Sequence, residues 1–376
     1  MRRSTIALAL LALTPLALAA CTSKAGSSDA IAVTATDTTC DVAAHTAETG
    51  NTTFEITNNG SKVTEFYVYG DGDRVMGEVE NVGPGLTRRL IVNLASAGTY
   101  HTACKPGMVG DGIRAEFTVT GDSTTPTDET GQLADAAANY KRYVTGQVAA
   151  LQETAAGFVA AIKAGDIEAA KAQYPTTRTY YERIEPIAES FPDDLDPRLD
   201  LREVDVEPGQ RWTGFHRLEK DLWVSGLQPD TNAMADQLLT DLKELSDGIG
   251  ADDFTVDPIQ VAGGAQTLLD EISRTKITGE EDIFSGTDLW DFQANVDGSQ
   301  AAIASVRPIL DERNPALAAR VDQRFAELDA ALAQYRLGDG FVLYGTVTEP
   351  QRQALSHQID ALSAEVSQVQ GVVAGQ

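Results

Sequence analysis

Histidine is scarce in this chain, with four residues in 376, and cysteine is scarcer still, with three. A centre built from several imidazoles, as in many zinc hydrolases, has few residues to draw on. Basic side chains are outnumbered too: 29 lysines and arginines stand against 56 aspartates and glutamates, for a formal net charge of −27. That balance opposes phosphate backbones and attracts cations, which sets nucleic acid aside as a partner. The apolar run over residues 6–19 is too short to span a bilayer comfortably, and no short repeat recurs.

What is present begins with a processing signal. Met1-Arg2-Arg3 supplies positive charge, residues 6–19 the apolar run, and Leu18-Ala19-Ala20-Cys21 a cleavage box that resembles a bacterial lipobox. Residues 1–20 are therefore expected to be removed. Cys21 then becomes the lipidated first residue, because its thiol accepts the diacylglyceryl chain, and it anchors the protein to the membrane outside the cytoplasm. Cys40 and Cys104 remain. In an oxidising compartment they form one disulfide; kept reduced, they offer two thiolate ligands.

The length suits two or three domains. Residues 21–30 read as a flexible tether. From residue 31 to 120, "IAVTAT", "TTFEITNNG", "TEFYVYGDGD", "RRLIVNL" and "RAEFTVTGD" alternate apolar and polar residues between Gly, Asn and Asp turn signals, the pattern of a β-sandwich. Residues 121–132 form a polar linker. Residues 133–376 change to helical texture, with helices expected over 133–163, 178–190, 209–224, 231–247, 258–275, 288–307 and 350–370. In "NPALAARVDQRFAELDAALAQYR", Leu317, Val321, Phe325, Leu328 and Leu332 make one stripe behind an Asn314 cap and Pro315 in the first turn. The fold class is thus multidomain, a β-sandwich followed by an all-α helical bundle.

In "GFHRLEK", His216 and Glu219 lie three apart on one helical face, while Phe215, Leu218 and Leu222 turn to the core. The same spacing recurs at His45/Glu48 and His357/Asp360, so by itself it describes an ordinary surface helix equally well. Its company is more informative. "YYERIEPIAESF" presents Glu182 and Glu185, with Pro186 allowing a helix only near its start or at a kink; "DDLDPRLDLRE" adds Asp200; "KITGEEDIFSGTDLWDFQANVDG" adds Glu280 and Glu281. As connected strings, "ERIEPIAE", "GFHRLEK" and "TDLWDFQANVDG" resemble the imelysin-like family, most closely its iron-uptake branch, the EfeO lipoproteins. The resemblance runs along most of residues 133–370. It implies a pair of helical bundles in which Glu182, Glu185, Asp200, His216, Glu219 and one of Glu280 and Glu281 converge on a cleft. Adjacent helical positions point about 100° apart, so spacing leaves that last choice open.

Several carboxylates with one imidazole make a hard, anionic site suited to ferrous or ferric iron and to manganese, and tolerant of zinc. Clustered without a cation, such carboxylates would take up protons. Inverted zinc peptidases need H-x-x-E-H, whereas Lys220 follows Glu219 here. In the N-terminal domain, "GTYHTACKPGM" resembles the last strand and ligand loop of a cupredoxin, yet Lys105-Pro106-Gly107 stands between Cys104 and Met108 where a blue-copper loop carries histidine. The resemblance to EfeO members with this domain implies Cys40, Glu65 and Cys104 as replacement ligands, and local spacing adds His101. A thiolate site for copper, or for iron, is the expectation; a stapled scaffold is the alternative.

The function implied is that of an extracytoplasmic, lipid-anchored, metal-binding component of a bacterial elemental-iron uptake system, at the cell surface or in the periplasm. It would capture iron for a high-affinity iron permease, beside a dye-decolourising haem peroxidase. An imelysin-type zinc peptidase and a structural or adhesive surface lipoprotein are the other classes the sequence admits.

Overall fold

The computed structural model describes residues 30–70, 75–107, 110–123, 128, 130–191, 195–252 and 254–375. The signal segment and Cys21 lie outside them. The alternating segments form nine strands: β1 (Ile31–Ala35), β2 (Cys40–Val42), β3 (Thr46–Glu48), β4 (Gly50–Asn58), β5 (Thr64–Tyr69), β6 (Val75–Val82), β7 (Thr87–Leu94), β8 (Gly98–Pro106) and β9 (Ile113–Thr120). They make two sheets, β2-β1-β4-β7 and β3-β9-β8-β5-β6. Between the sheets lie Phe54, Ile56, Phe66, Val92, Leu94 and Phe117. The Phe54 ring is 5.2 Å from Phe66 and 5.5 Å from Phe117, so three strands lock through aromatic contact.

Cys40 on β2 and Cys104 on β8 are joined by a disulfide, which staples one sheet to the other across 64 residues of chain. Closing a loop of that length restricts the unfolded chain strongly. Reduction, or the Cys40→Ala/Cys104→Ala pair, is expected to lower stability by about 2–5 kcal/mol. Denaturant unfolding of the full chain with and without reductant reads this directly, and coincident midpoints would contradict it.

The second domain opens with α1 (Gln132–Ala164), then α2 (Ile167–Glu182), α3 (Glu185–Glu189), α4 (Leu195–Asp200), α5 (Gly214–Lys220), α6 (Thr231–Gly250), α7 (Pro258–Glu271), α8 (Asp288–Arg313), α9 (Pro315–Leu332), α10 (Glu349–Val366) and α11 (Val369–Val373). A small ribbon, β10 (Arg336–Leu337) with β11 (Gly340–Phe341), precedes α10. Single π-turns extend α5 over Asp221–Ser225 and α7 over Ile272–Lys276. The α9 stripe from Leu317 to Leu332 is buried as its period requires, and the Asn314 side chain accepts from the Leu317 N–H at 3.1 Å. Among the described residues, no helix is long and apolar enough to cross a membrane.

Three local differences from the sequence reading matter for the site. The helix expected from residue 178 begins at Ile167, capped by Asp166 and continuing through Pro175, an interior proline that masks the pattern. The chain then breaks after Glu182, and Pro186 enters the first turn of α3, where its missing N–H removes no helical bond. The six-residue α4 is too short for periodicity to reveal.

The two domains are docked. Helix α7 packs on β6 and β7, Ile91 of β7 joins the helical core, and the Gln370 side chain donates to the Ile91 carbonyl at 3.1 Å. Strand β5 is consequently buried along its whole length. Phe66 and Val68 face the sandwich core, while Glu65, Tyr67 and Tyr69 occupy the opposite face.

Candidate metal centre

His216 is the one deeply buried histidine of the four; His45 and His357 are exposed and His101 half-buried. Its position depends on Gly214, the first residue of α5. Gly214 has φ +87°, and an added Cβ would lie 2.1 Å from the Leu199 carbonyl oxygen. Only glycine permits that approach, which brings α5 against α4 and sets His216 beside Asp200. His216 Nε2 lies 3.6 Å from Asp200 Oδ1 and 3.4 Å from Glu281 Oε1, and it makes no hydrogen bond among the described residues. On the other side of the ring, Nδ1 lies 3.1 Å from Glu219 Oε2 and 3.8 Å from Asp282 Oδ1. The imidazole thus belongs to two overlapping donor groups, Asp200–His216–Glu281 and His216–Glu219–Asp282, each within 4.8 Å.

Neighbouring groups fix the carboxylates in turn. Glu219 Oε1 accepts the backbone N–H groups of Phe284 (3.0 Å) and Ser285 (2.7 Å), tying α5 to the turn before α8. Asp282 accepts from the Tyr174 hydroxyl at 3.0 Å and from the Thr287 hydroxyl. Glu182 accepts from Asn295 Nδ2 at 3.0 Å.

Two buried cations sit inside the acidic cluster. The Arg178 guanidinium contacts Glu182 and Asp200, donates to Asp291 at 3.1 Å, and reaches Glu281 at 3.2 Å. Lys276 Nζ lies 3.3 Å from Glu182, 3.5 Å from Glu281, 3.7 Å from Glu271 and 3.9 Å from Glu185. Both residues are fully buried, so the carboxylates around them are only weakly screened by water. The carboxylates still outnumber the cations, which leaves the cluster able to take an added positive charge.

Titration behaviour follows from this packing. Burial and the Arg178 charge both work against a charged His216, but Asp200, Glu219 and Glu281 hold the imidazole protonated up to about 10. Burial would push Glu281 up; Lys276, His216 and Arg178 instead keep it well below the usual carboxylate range. Burial raises Glu182 to about 7 despite Lys276 and Arg178, and drives Glu185 well above its ordinary value. Because the folded His216 value exceeds the unfolded one, its contribution to stability is full below about 6.5 and is lost as pH rises through about 10. A metal ion must displace that proton, so its affinity rises with pH up to about 10.

Asp200, Glu219 and Glu281 surround the His216 imidazole. Glu182 and Glu185 stand on the far side, around Arg178 and Lys276. Glu280 is exposed, whereas Glu281 is 4% exposed and brings its Oε1 to the ring. Glu281→Gln is therefore expected to weaken iron binding at least about tenfold, and Glu280→Gln to leave it unchanged. Equal effects of the two in a titration of the full chain would contradict this placement. Arg178, Lys276, Asp282 and Asp291 were not singled out from the sequence. The signal for Arg178 was its place four residues before Glu182, which puts both on one face.

The thiolate site expected in the sandwich requires correction. Cys40 and Cys104 are bonded to each other, so neither sulfur is a thiolate ligand for copper or iron. Strand alternation separates the other two candidates as well. Cys104 pairs with Phe66 on the core side, while Glu65 pairs with Lys105 and His101 with Tyr69 on the opposite face.

A β-sandwich docked on a helical bundle, whose interior holds one imidazole ringed by carboxylates, defines a two-domain protein with a candidate cation centre in its helical half. The model of the imelysin family matches residues 136–369, and that of the cupredoxin-like domain matches residues 6–119. Proteins named iron uptake system component EfeO, from Escherichia coli O157:H7, Escherichia coli K12 and Shigella flexneri, are each 41% identical over 349 residues, covering 91% of this chain and 91% of their own. The chain belongs to the imelysin family and, within it, to the EfeO branch that carries a cupredoxin-like domain. The solved structure of reduced auracyanin from Roseiflexus castenholzii matches 26% of this chain and all of its own, at 17% identity and a TM-score of 0.21.

Proposed function

We propose that this chain is an extracytoplasmic component of a bacterial iron uptake system that captures iron at the His216 centre and delivers it to a high-affinity membrane permease. The carrying observation is the buried imidazole set among Asp200, Glu219, Glu281 and Asp282, with its Nε2 free of hydrogen bonds among the described residues. One nitrogen and several carboxylate oxygens make a donor set for ferrous or ferric iron, too hard to prefer copper(I). The name its relatives carry, iron uptake system component, agrees with that chemistry. The lipobox at Cys21 supplies the anchor, and a dye-decolourising haem peroxidase completes the system.

The zinc-peptidase reading lacks its second imidazole. Lys220 stands where H-x-x-E-H requires histidine and its ammonium is bound to Glu203, while His357 is exposed on α10.

Uptake of radiolabelled iron by cells kept at low iron tests the proposal. Replacing the gene by its His216→Ala form is expected to reduce high-affinity uptake to the level of a deletion. Parental uptake would overturn the reading. Cys21→Ser separately tests the anchor, since the protein is expected to leave the detergent phase on partitioning.

A further inference from the structure

A second acidic constellation lies where the two domains meet. Glu78 and Glu80 alternate along β6 and so share a face, and Glu189 ends α3 of the helical domain. Each offers an oxygen within 4.8 Å of the other two. Glu80 is 6% exposed, and its Oε2 has no hydrogen-bond partner among the described residues; the same holds for the sealed Oε2 atoms of Glu78 and Glu189. Tyr67 is the neutral donor at hand, its hydroxyl 3.5 Å from Glu80 Oε1 and 3.2 Å from Glu65 Oε2.

The charges facing this place do not balance. Glu65 and Glu271 add to its negative side, while the cations are Arg274, bonded to Glu271, and Lys105, 4.2 Å from the centre of the Tyr67 ring. Buried carboxylate oxygens left without a hydrogen-bond donor and outnumbering the cations beside them are costly, and the cost is removed by a proton or by a further cation. Oxygens converging from two domains have the arrangement of ligands around an ion.

We propose that Glu78, Glu80 and Glu189 form a second cation site, built across the domain interface and taking a hard divalent cation. The donor set is all carboxylate, with neither imidazole nor thiolate, so manganese, calcium and ferrous iron suit it and copper(I) does not. Its ligands come from β6 and α3, so an occupied site ties the sandwich to the bundle. The proposal is independent of the His216 centre.

Equilibrium dialysis of the full chain with Mn2+ tests it. The His216→Ala/Glu219→Gln variant, with its helical centre disabled, is expected to keep about one Mn2+ per chain and to melt at a higher temperature with the ion than without it. Adding Glu80→Gln/Glu189→Gln should lower that remaining affinity at least about tenfold and abolish the thermal shift. Should the glutamine pair fail to fold, Glu80→Lys places a built-in cation there, and its folded chain should not bind Mn2+ at the interface. The proposal is overturned if the His216→Ala/Glu219→Gln chain binds no Mn2+, or if either interface variant binds Mn2+ undiminished. Loss of iron uptake in His216→Ala cells bears on the helical centre alone, so the two readings fail separately.

Discussion

His216→Ala combined with Glu219→Gln is expected to lower iron affinity by at least about a hundredfold in the full chain, since changes to groups merely supporting a metal ligand already cost ten- to a hundredfold. The two residues supply both nearest contacts on one side of the centre, Nδ1 and the Oε2 atom 3.1 Å from it. Glu219 also accepts from the backbone of Phe284 and Ser285, so its conversion to a neutral amide weakens the hold on the turn that carries Asp282. Competition against a coloured chelator reads the loss. Glu219 removed alone should weaken binding less than the pair, because Asp200 and Glu281 still flank Nε2. Parental affinity in the double variant would show that iron binds elsewhere.

The second large effect is expected at Arg178. Arg178→Gln removes the charge that faces Glu182, Asp200, Glu281 and Asp291 at once, and the whole group is buried. Breaking a buried pair by deleting one partner costs about 3–5 kcal/mol, because the other partner stays desolvated. The metal-free variant should therefore unfold at markedly lower denaturant. Iron or manganese should restore part of the difference, since an ion at the centre supplies the missing positive charge. A variant as stable as the parent without metal would show that the carboxylates there are neutral and that Arg178 does not hold the cluster together.

Much of this architecture was legible as periodicity. Strand alternation over 31–120 and the Leu317–Leu332 stripe each follow from burying one face, and both appear as expected. His216, Glu219 and Asp200 were legible as a set only through resemblance; the break between the helices that carry Glu182 and Glu185 could be read from Pro186. Arg178 and Lys276 were hidden because a basic residue amid acidic sequence reads as a solvated pair, and burial is a tertiary property. The parity error in the sandwich has a similar origin. Cys104 and Glu65 fall on opposite faces through the register of β5 against β8, and a shift of one residue would have put them on the same face.

The most direct test of the central claim is the position of the ion. Crystals of the full chain soaked with ferrous iron under anaerobic conditions and measured across the iron absorption edge should give an anomalous peak about 2.0–2.2 Å from a His216 nitrogen, with oxygens of Glu219 and Asp282, or of Asp200 and Glu281, completing the site. Iron density confined to other residues, with His216 still hydrogen-bonded to Glu219 as in the metal-free chain, would contradict it.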